Sequence, residues 1–564
     1  MMATEAPLKV VLCWHMHQPD YRDHIRNEFQ LPWVYLHGIR DYIDMAVHLE
    51  AVPEAKAVVN FSPILLVQLE EYERQINAYL HNGVSIRDPL LSMLDNPVFP
   101  SDAGQRLSLI KACFRANRKH QIDRFVPYQK LVGIAELVMN DADFSTYIND
   151  QYLADLVTWY HLAWLGETVR RTDVRIISLV EQGYGYTLHQ RRVLLEIIAE
   201  LISSLRGRYA RLAEAGRIEL SMSPHTHPML PLLIDFKTAQ EAQPKILLPV
   251  QKNYPGGMER SDWHMQQGLD VFRRYFKRTP AGCWPSEGGI SAATLEVIAR
   301  YGFRWVATGE SVLRNSIGSS ASGDNGHSIY SAYYHSPSGL RLFARDDTLS
   351  DRIGFTYIDW HSDDAVGDLL HRLGMIANSH TDRDNTVVSI IMDGENAWEY
   401  YSQNGYYFLS NLYQRLTSDP RIQLCTYADL LETKALPLEN IVSGSWVYGT
   451  FSTWIGNEDK NRGWDVLCDL KQVYDECCQQ LDPQTRLMVD AQLAACEGSD
   501  WFWWFGDYNP AKMVSDFEHL FRIHIAGLYQ MLGREPPQYL THVLAHGSGS
   551  PEHGGVMRQG KADN

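Results

Sequence analysis

The chain has 564 residues, with 68 acidic against 51 basic side chains and a net charge of −17 at neutral pH. That balance excludes nucleic acid and anionic membranes as natural partners and favours a neutral substrate. No apolar run approaches the ~18 residues that span a bilayer. Met1–Lys9 lacks the basic-then-apolar build of a signal peptide, and the eight cysteines are scattered without a CxxC pair. The expectation is therefore a cytoplasmic protein with free thiols. Oligomeric state is not legible.

In chain order, short apolar strand candidates alternate with longer helical stretches: Val10–Trp14, Ala57–Phe61, Ile218–Met222, Gly302–Ala307, Leu340–Ala344 and Val387–Met392. This rhythm predicts an α/β fold with a mainly parallel sheet. Residues 66–162 carry a helical pattern without a strand and read as a helical insertion within a catalytic domain spanning 1–435. From Asn315 to His327 Gly, Ser and Asn predominate, which predicts a mobile surface loop with the build of a lid. After Leu436 the strand signal stops. Trp464–Ala495 and Lys512–Leu532 then predict a C-terminal helical bundle domain over 436–544, and 545–564 is expected to be a disordered tail.

Chemistry-bearing residues gather where strand candidates end, and in a β/α barrel those ends form the active face. His15 and His17 follow the first strand, and alternation puts them on one face. His225 and His227 follow Ile218–Met222. Such HxH pairs can donate hydrogen bonds to substrate hydroxyls, or four histidines can supply a zinc ion with ligands, which keeps a metal-dependent, deacetylase-like hydrolase open as a rival. Glu287 sits in Gly282-Cys283-Trp284-Pro285-Ser286-Glu287-Gly288-Gly289, where glycines permit close approach and Trp284 offers an aromatic wall; Ser291 just beyond it can also N-cap a helix. Asp393 and Glu395 end the buried-looking run Ser389–Met392, where packing alone does not account for two acids. Glycoside hydrolysis needs two carboxylates of different pKa, one facing the anomeric carbon and one protonating the leaving oxygen, and Glu287 and Asp393 suit that division. Trp446, Trp454, Trp501 and Trp504 lie in a later Trp-rich region that either seals a domain interface or caps a cleft.

Five ordered runs, HMHQPD, SPHTHPMLPLL, GCWPSEGGIS, MDGENAWEYY and GSWVYGTFSTWIG, together resemble the sequence regions of glycoside hydrolase family 57, in its α-amylase/amylopullulanase-like branch, over residues 9–535. The resemblance implies an incomplete (β/α)7 barrel with a helical C-terminal domain and a retaining mechanism, with no cofactor and no required metal. It makes Glu287 the nucleophile and Asp393 the general acid/base. His15, His17, Trp284 and Glu395 fall in or near the subsite beside the cleaved bond, with His225 and His227 in the same cleft. Asp351, Trp360 and His361 are secondary substrate-binding candidates, from a familiar segment at 345–355 and just beyond it. The implied substrate is an α-glucan or maltooligosaccharide cut at α-1,4 bonds, with α-1,6 bonds as an extension. A 4-α-glucanotransferase or branching enzyme uses the same carboxylate pair and is the alternative. In the second run two histidines flank Thr226 where the family typically carries a glycine and smaller polar residues, so its subsite detail differs.

Overall fold

The structure, a computed structural model, describes residues 6–140, 147–318, 328–380, 382–549 and 557–560. Its centre consists of parallel strands β1 (Leu8–Met16), β2 (Ala57–Phe61), β3 (Ile218–Met222), β4 (Gly282–Cys283), β5 (Trp305–Thr308), β6 (Leu340–Ala344) and β7 (Val387–Asp393). β1 lies between β7 and β2, and the sheet runs on from β2 through β3, β4 and β5 to β6. Its far edges meet at a bridge between Arg345 and Ser389, where the Asp346 amide donates to the Ser389 carbonyl at 2.8 Å. The sheet is thus curled and mostly parallel, consistent with the incomplete barrel expected. The antiparallel exception is Tyr333–His335, which pairs with β6.

The anticipated bounds hold for Ala57–Phe61, Ile218–Met222 and Leu340–Ala344. The expected strand at Gly302 starts later, at Trp305, because Gly302 turns the chain at φ 81°. β4 escaped the sequence reading. It has two residues, and its Gly282 packs so closely on Trp305 that an added Cβ would lie 1.8 Å from the indole.

Parity along the strands decides what the barrel end displays. Val11, Cys13, Val58, Trp305, Phe343, Val387 and Ile391 form an inner core, whereas Val10, Leu12, Trp14, Val59, Leu342, Val388 and Ile390 face the helices. Two residues further on, the inward register brings His15, Asn60, Arg345 and Asp393 to the carboxyl ends of their strands. Across the sheet His15 is level with Asp393 on one side and Asn60 on the other.

Helices α1 (Pro63–Asn82) and α2 (Asp150–Trp164) belong to the anticipated helical stretch. After the barrel come α3 (Glu458–Cys477), α4 (Pro483–Cys496), α5 (Ser499–Trp504) and α6 (Ala511–Met531), with α6 packed on the other three. Asp482 starts α4 by accepting the Gln484 and Thr485 amides ahead of a proline-led first turn. Among the described residues, no helix is long and apolar enough to cross a membrane. Of the expected mobile loop, 319–327 lies outside the described residues. Of the expected disordered tail, 545–549 and 557–560 are described, and Met557 packs against the core while Gly560 is buried.

Candidate active site

A cleft of ≈ 470 Å³ opens at the carboxyl ends of the strands, and both Glu287 and Asp393 line it. Glu287 is presented by a turn after β4 with φ 59° and ψ 25°, followed by Gly288 at φ 59°. The left-handed region costs a non-glycine residue about 1–3 kcal/mol and persists where surroundings enforce it. Here the Trp446 amide donates to the Glu287 carbonyl at 3.0 Å, and the Gly288 amide to Pro285 at 2.8 Å. An added Cβ on Gly288 would stand 2.8 Å from the Trp284 ring, so the turn also needs glycine for space.

Glu287 is 9% exposed, and its carboxyl group receives one donor on each oxygen: the Trp446 indole N–H on Oε2 and the Ser499 hydroxyl on Oε1, both at 3.1 Å. Burial, reinforced by the charges of Asp500 and Asp393, pushes its pKa up to about 8. Burial also lifts Asp393, to about 6, against the Asn396 amide that donates to it at 2.9 Å. Glu395 is held well above the usual carboxylate range by burial and by Asp393. Its Oε1 accepts from Gln18 at 3.2 Å and from the His17 amide at 3.3 Å.

Three histidine rings stack beside the acids, with centroids 4.0 Å apart for His17 and His227 and 4.9 Å for His15 and His227. Burial holds His15 down at about 3 and His227 well below the ordinary imidazole range, so both are neutral. His15 Nδ1–H donates to Asn60 at 2.7 Å and His227 Nδ1–H to Ser499 at 3.0 Å, which leaves each Nε2 as an acceptor without a donor among the described residues. His17 bridges Ser62 at 2.7 Å and Asp500 at 3.0 Å. Among the described residues, His17, His227 and Asp500 each present a ligand atom within 4.8 Å of the others, a set that could hold a metal ion.

His15, His17, His227, Glu287, Asp393, Glu395, Trp446 and Trp504 line the cleft together. Trp284 is fully buried behind it, edge-on to Trp446 at 5.5 Å. The remaining candidates are not among the residues that line the cleft. Trp360 is 44% exposed away from the cleft, and His361 caps a helix by accepting the Asp363 amide. Asp351 pairs with Arg345 at 2.7 Å. His225 turns its ring onto Trp263 at 5.5 Å. Trp454 and Trp501 are fully buried, packed on Trp503 and on Phe517, Phe521 and His524 respectively. Sequence reasoning missed Asp500, Ser499, Gln18 and Asn60. A carboxylate opening the Trp501–Trp504 run was the available signal for Asp500. Trp33, Trp164 and Phe114–Asn117, which extend the cleft from the helical side, carried none.

A family model for glycosyl hydrolase family 57 matches residues 11–442. No curated protein sequence matches the chain. Among solved structures, a GH57-type branching enzyme from Pyrococcus horikoshii is 15% identical at a TM-score of 0.56, covering 94% of this chain and 93% of that one. The α-amylase AmyC from Thermotoga maritima is 14% identical at 0.56, with coverages of 95% and 96%. A 4-alpha-glucanotransferase from Thermococcus litoralis is 13% identical at 0.50, with coverages of 93% and 60%. At these identities the likeness is one of fold.

Proposed function

We propose that this chain, which belongs to glycosyl hydrolase family 57, cleaves α-1,4-glucosidic bonds of α-glucans or maltooligosaccharides with retention of configuration, Glu287 acting as nucleophile and Asp393 as general acid/base. One observation carries the reading. Around the two acids, His15 Nε2, His227 Nε2 and Glu395 Oε2 are buried polar atoms of cleft-lining residues that have no partner among the described residues. Each such atom costs about 1–3 kcal/mol, and the hydroxyls of a glucosyl ring supply the matching donors and acceptors.

In the first step the Glu287 carboxylate attacks the anomeric carbon while the Asp393 carboxyl group gives its proton to the glycosidic oxygen, and the chain beyond it leaves. In the second, ionised Asp393 takes a proton from water, whose oxygen displaces Glu287. With no sugar bound, burial makes Glu287 hold a proton more tightly than Asp393, the reverse of these roles. A bound ring inverts the order: positive charge developing at the anomeric carbon favours the Glu287 anion, which already has two donors, and the glycosidic oxygen accepts a bond that only protonated Asp393 can give.

The pair must carry one proton in total. Below about 6 both acids are protonated and the nucleophile is lost; above about 8 both are ionised and the acid is lost. kcat/KM is therefore expected to be bell-shaped with its maximum near pH 7 in initial-rate measurements. A rate that keeps climbing toward pH 4 contradicts this pairing.

The catalytic unit in this reading is 1–435, with the helices of 436–544 completing the cleft through Ser499, Asp500 and Trp504. A second reading, transfer to a sugar hydroxyl as in a glucanotransferase or branching enzyme, is favoured by the cleft's apolar wing of Trp33, Phe114, Trp164, Trp504 and Phe517, which offers an acceptor chain flat surfaces. Chromatography of products from maltoheptaose, pullulan and glycogen in the presence of a chelator decides. Shorter sugars with new reducing ends support hydrolysis, and longer or branched products support transfer. Loss of all activity on chelation supports a metal at His17, His227 and Asp500 and overturns both.

A further inference from the structure

We propose that Met557–Gly560 is a positioning strap for the reacting carboxylates, with Gly560 fixing Arg345 and the Trp446 loop and Arg558 fixing the neighbouring aromatic wall. The proposal rests on the assignment of Glu287 and Asp393 above. Gly560 joins two elements at once: its amide donates to Asp351 Oδ2 at 2.8 Å, and its carbonyl accepts the Tyr448 amide at 2.9 Å. On the first side, Asp351 Oδ1 accepts from Arg345 at 2.7 Å. Arg345 also donates to Asp347 at 2.7 Å and to the carbonyl of Ile391 at 2.9 Å, two residues before Asp393. Its guanidinium stands 5.2 Å from the centre of the Trp446 ring, whose N–H holds Glu287.

On the second side, Tyr448 sits two residues after Trp446 at φ 59°. Such a conformation survives in a tyrosine when its surroundings enforce it, and the bond to Gly560 is one such restraint. The fit is tight. A Cβ on residue 560 would lie 2.6 Å from Asp347 Cγ and 2.8 Å from an Arg345 nitrogen, so even alanine must displace the cluster behind the acids.

Arg558 anchors the strap. Its guanidinium lies 4.7 Å from the Trp503 ring and 4.4 Å from that of Tyr508, and it donates to the Tyr508 hydroxyl at 3.1 Å and to Asn509 at 3.2 Å. Trp503 lines the cleft. The strap thus ties together the Trp446 loop, the Asp347–Asp351 helix and the Trp503–Asn509 turn, all of which bear on the catalytic groups. A segment that merely filled a groove would affect unfolding and nothing else.

The test uses full-length Gly560→Ala, Arg558→Ala and Arg558→Lys, read by kcat, KM and pH profile on maltoheptaose and by hydrogen exchange. Gly560→Ala and Arg558→Ala are expected to lose roughly 10- to 100-fold in kcat, the scale of a misplaced reacting group, with KM little changed. Both limbs of the pH bell move to higher pH, because the Trp446 bond favours ionised Glu287 and Arg345 favours ionised Asp393. Arg558→Lys, which keeps a cation between the rings, recovers most of the loss. If Gly560→Ala does not fold, the Arg558 pair carries the test. With an active wild type, variants of unchanged kcat and unchanged pH limbs overturn the strap, whatever their Tm. If the wild type turns over no α-glucan, the assigned reaction fails and the strap is judged by exchange. Faster exchange of amides in 286–289 and 444–450 in the alanine variants then supports it, and wild-type exchange overturns it.

Discussion

Replacing Glu287 by Gln is expected to lower kcat on maltooligosaccharides by about 10⁴-fold or more, the scale seen when a covalent nucleophile is removed. The substitution is close to isosteric: the amide oxygen still accepts from Trp446, and the amide nitrogen can donate to the Ser499 hydroxyl, so the turn after β4 keeps its shape. It also removes a carboxyl group whose ionisation burial opposes. Thermal stability should therefore hold or rise while turnover disappears, and calorimetry beside a reducing-end assay separates the two. A variant that keeps more than about a tenth of wild-type kcat has a nucleophile elsewhere.

Asp393→Asn is expected to cost about 10²–10⁴-fold with a sugar leaving group, the usual range for a general acid/base. Asp393 ends β7 level with His15 on β1, and the Gly394 amide beside it is tied to the His15 carbonyl at 2.7 Å, so the backbone at this position does not depend on the carboxylate. The loss should depend on the leaving group. An aryl α-glucoside with an acidic phenol needs no proton to depart, so its first step is spared, and added azide, which needs no general base, should restore its turnover as the glucosyl azide. Equal losses for sugar and acidic phenol, with no response to azide, would assign Asp393 a structural task.

The sequence reading was most reliable where one local rule decides the outcome. An apolar strand ending in a carboxylate gave Asp393, and alternation put His15 inward, because strand parity is unaffected by what lies far away in the chain. It failed where burial or a distant partner decides. Trp454 and Trp501 have the same local look as Trp446 and Trp504, yet the first two are packed away and the others line the cleft. Asp500 is fixed by His17, 483 residues away in the chain, and no periodicity connects them. His361 shows the converse: local capping chemistry places it at a helix start, apart from the residues that line the cleft. The tail looked featureless because glycine and arginine reveal their fit only against Arg345, Asp347 and Trp503.

The central claim is a glucosyl group carried on Glu287. The most direct measurement is the mass of Asp393→Asn after incubation with α-glucosyl fluoride, whose leaving group needs no acid. The account predicts a gain of one glucosyl unit, located by peptide mapping on Glu287, because the second step lacks its base and the adduct accumulates. A protein whose mass stays unchanged while fluoride is released, or an adduct on another residue, would contradict it.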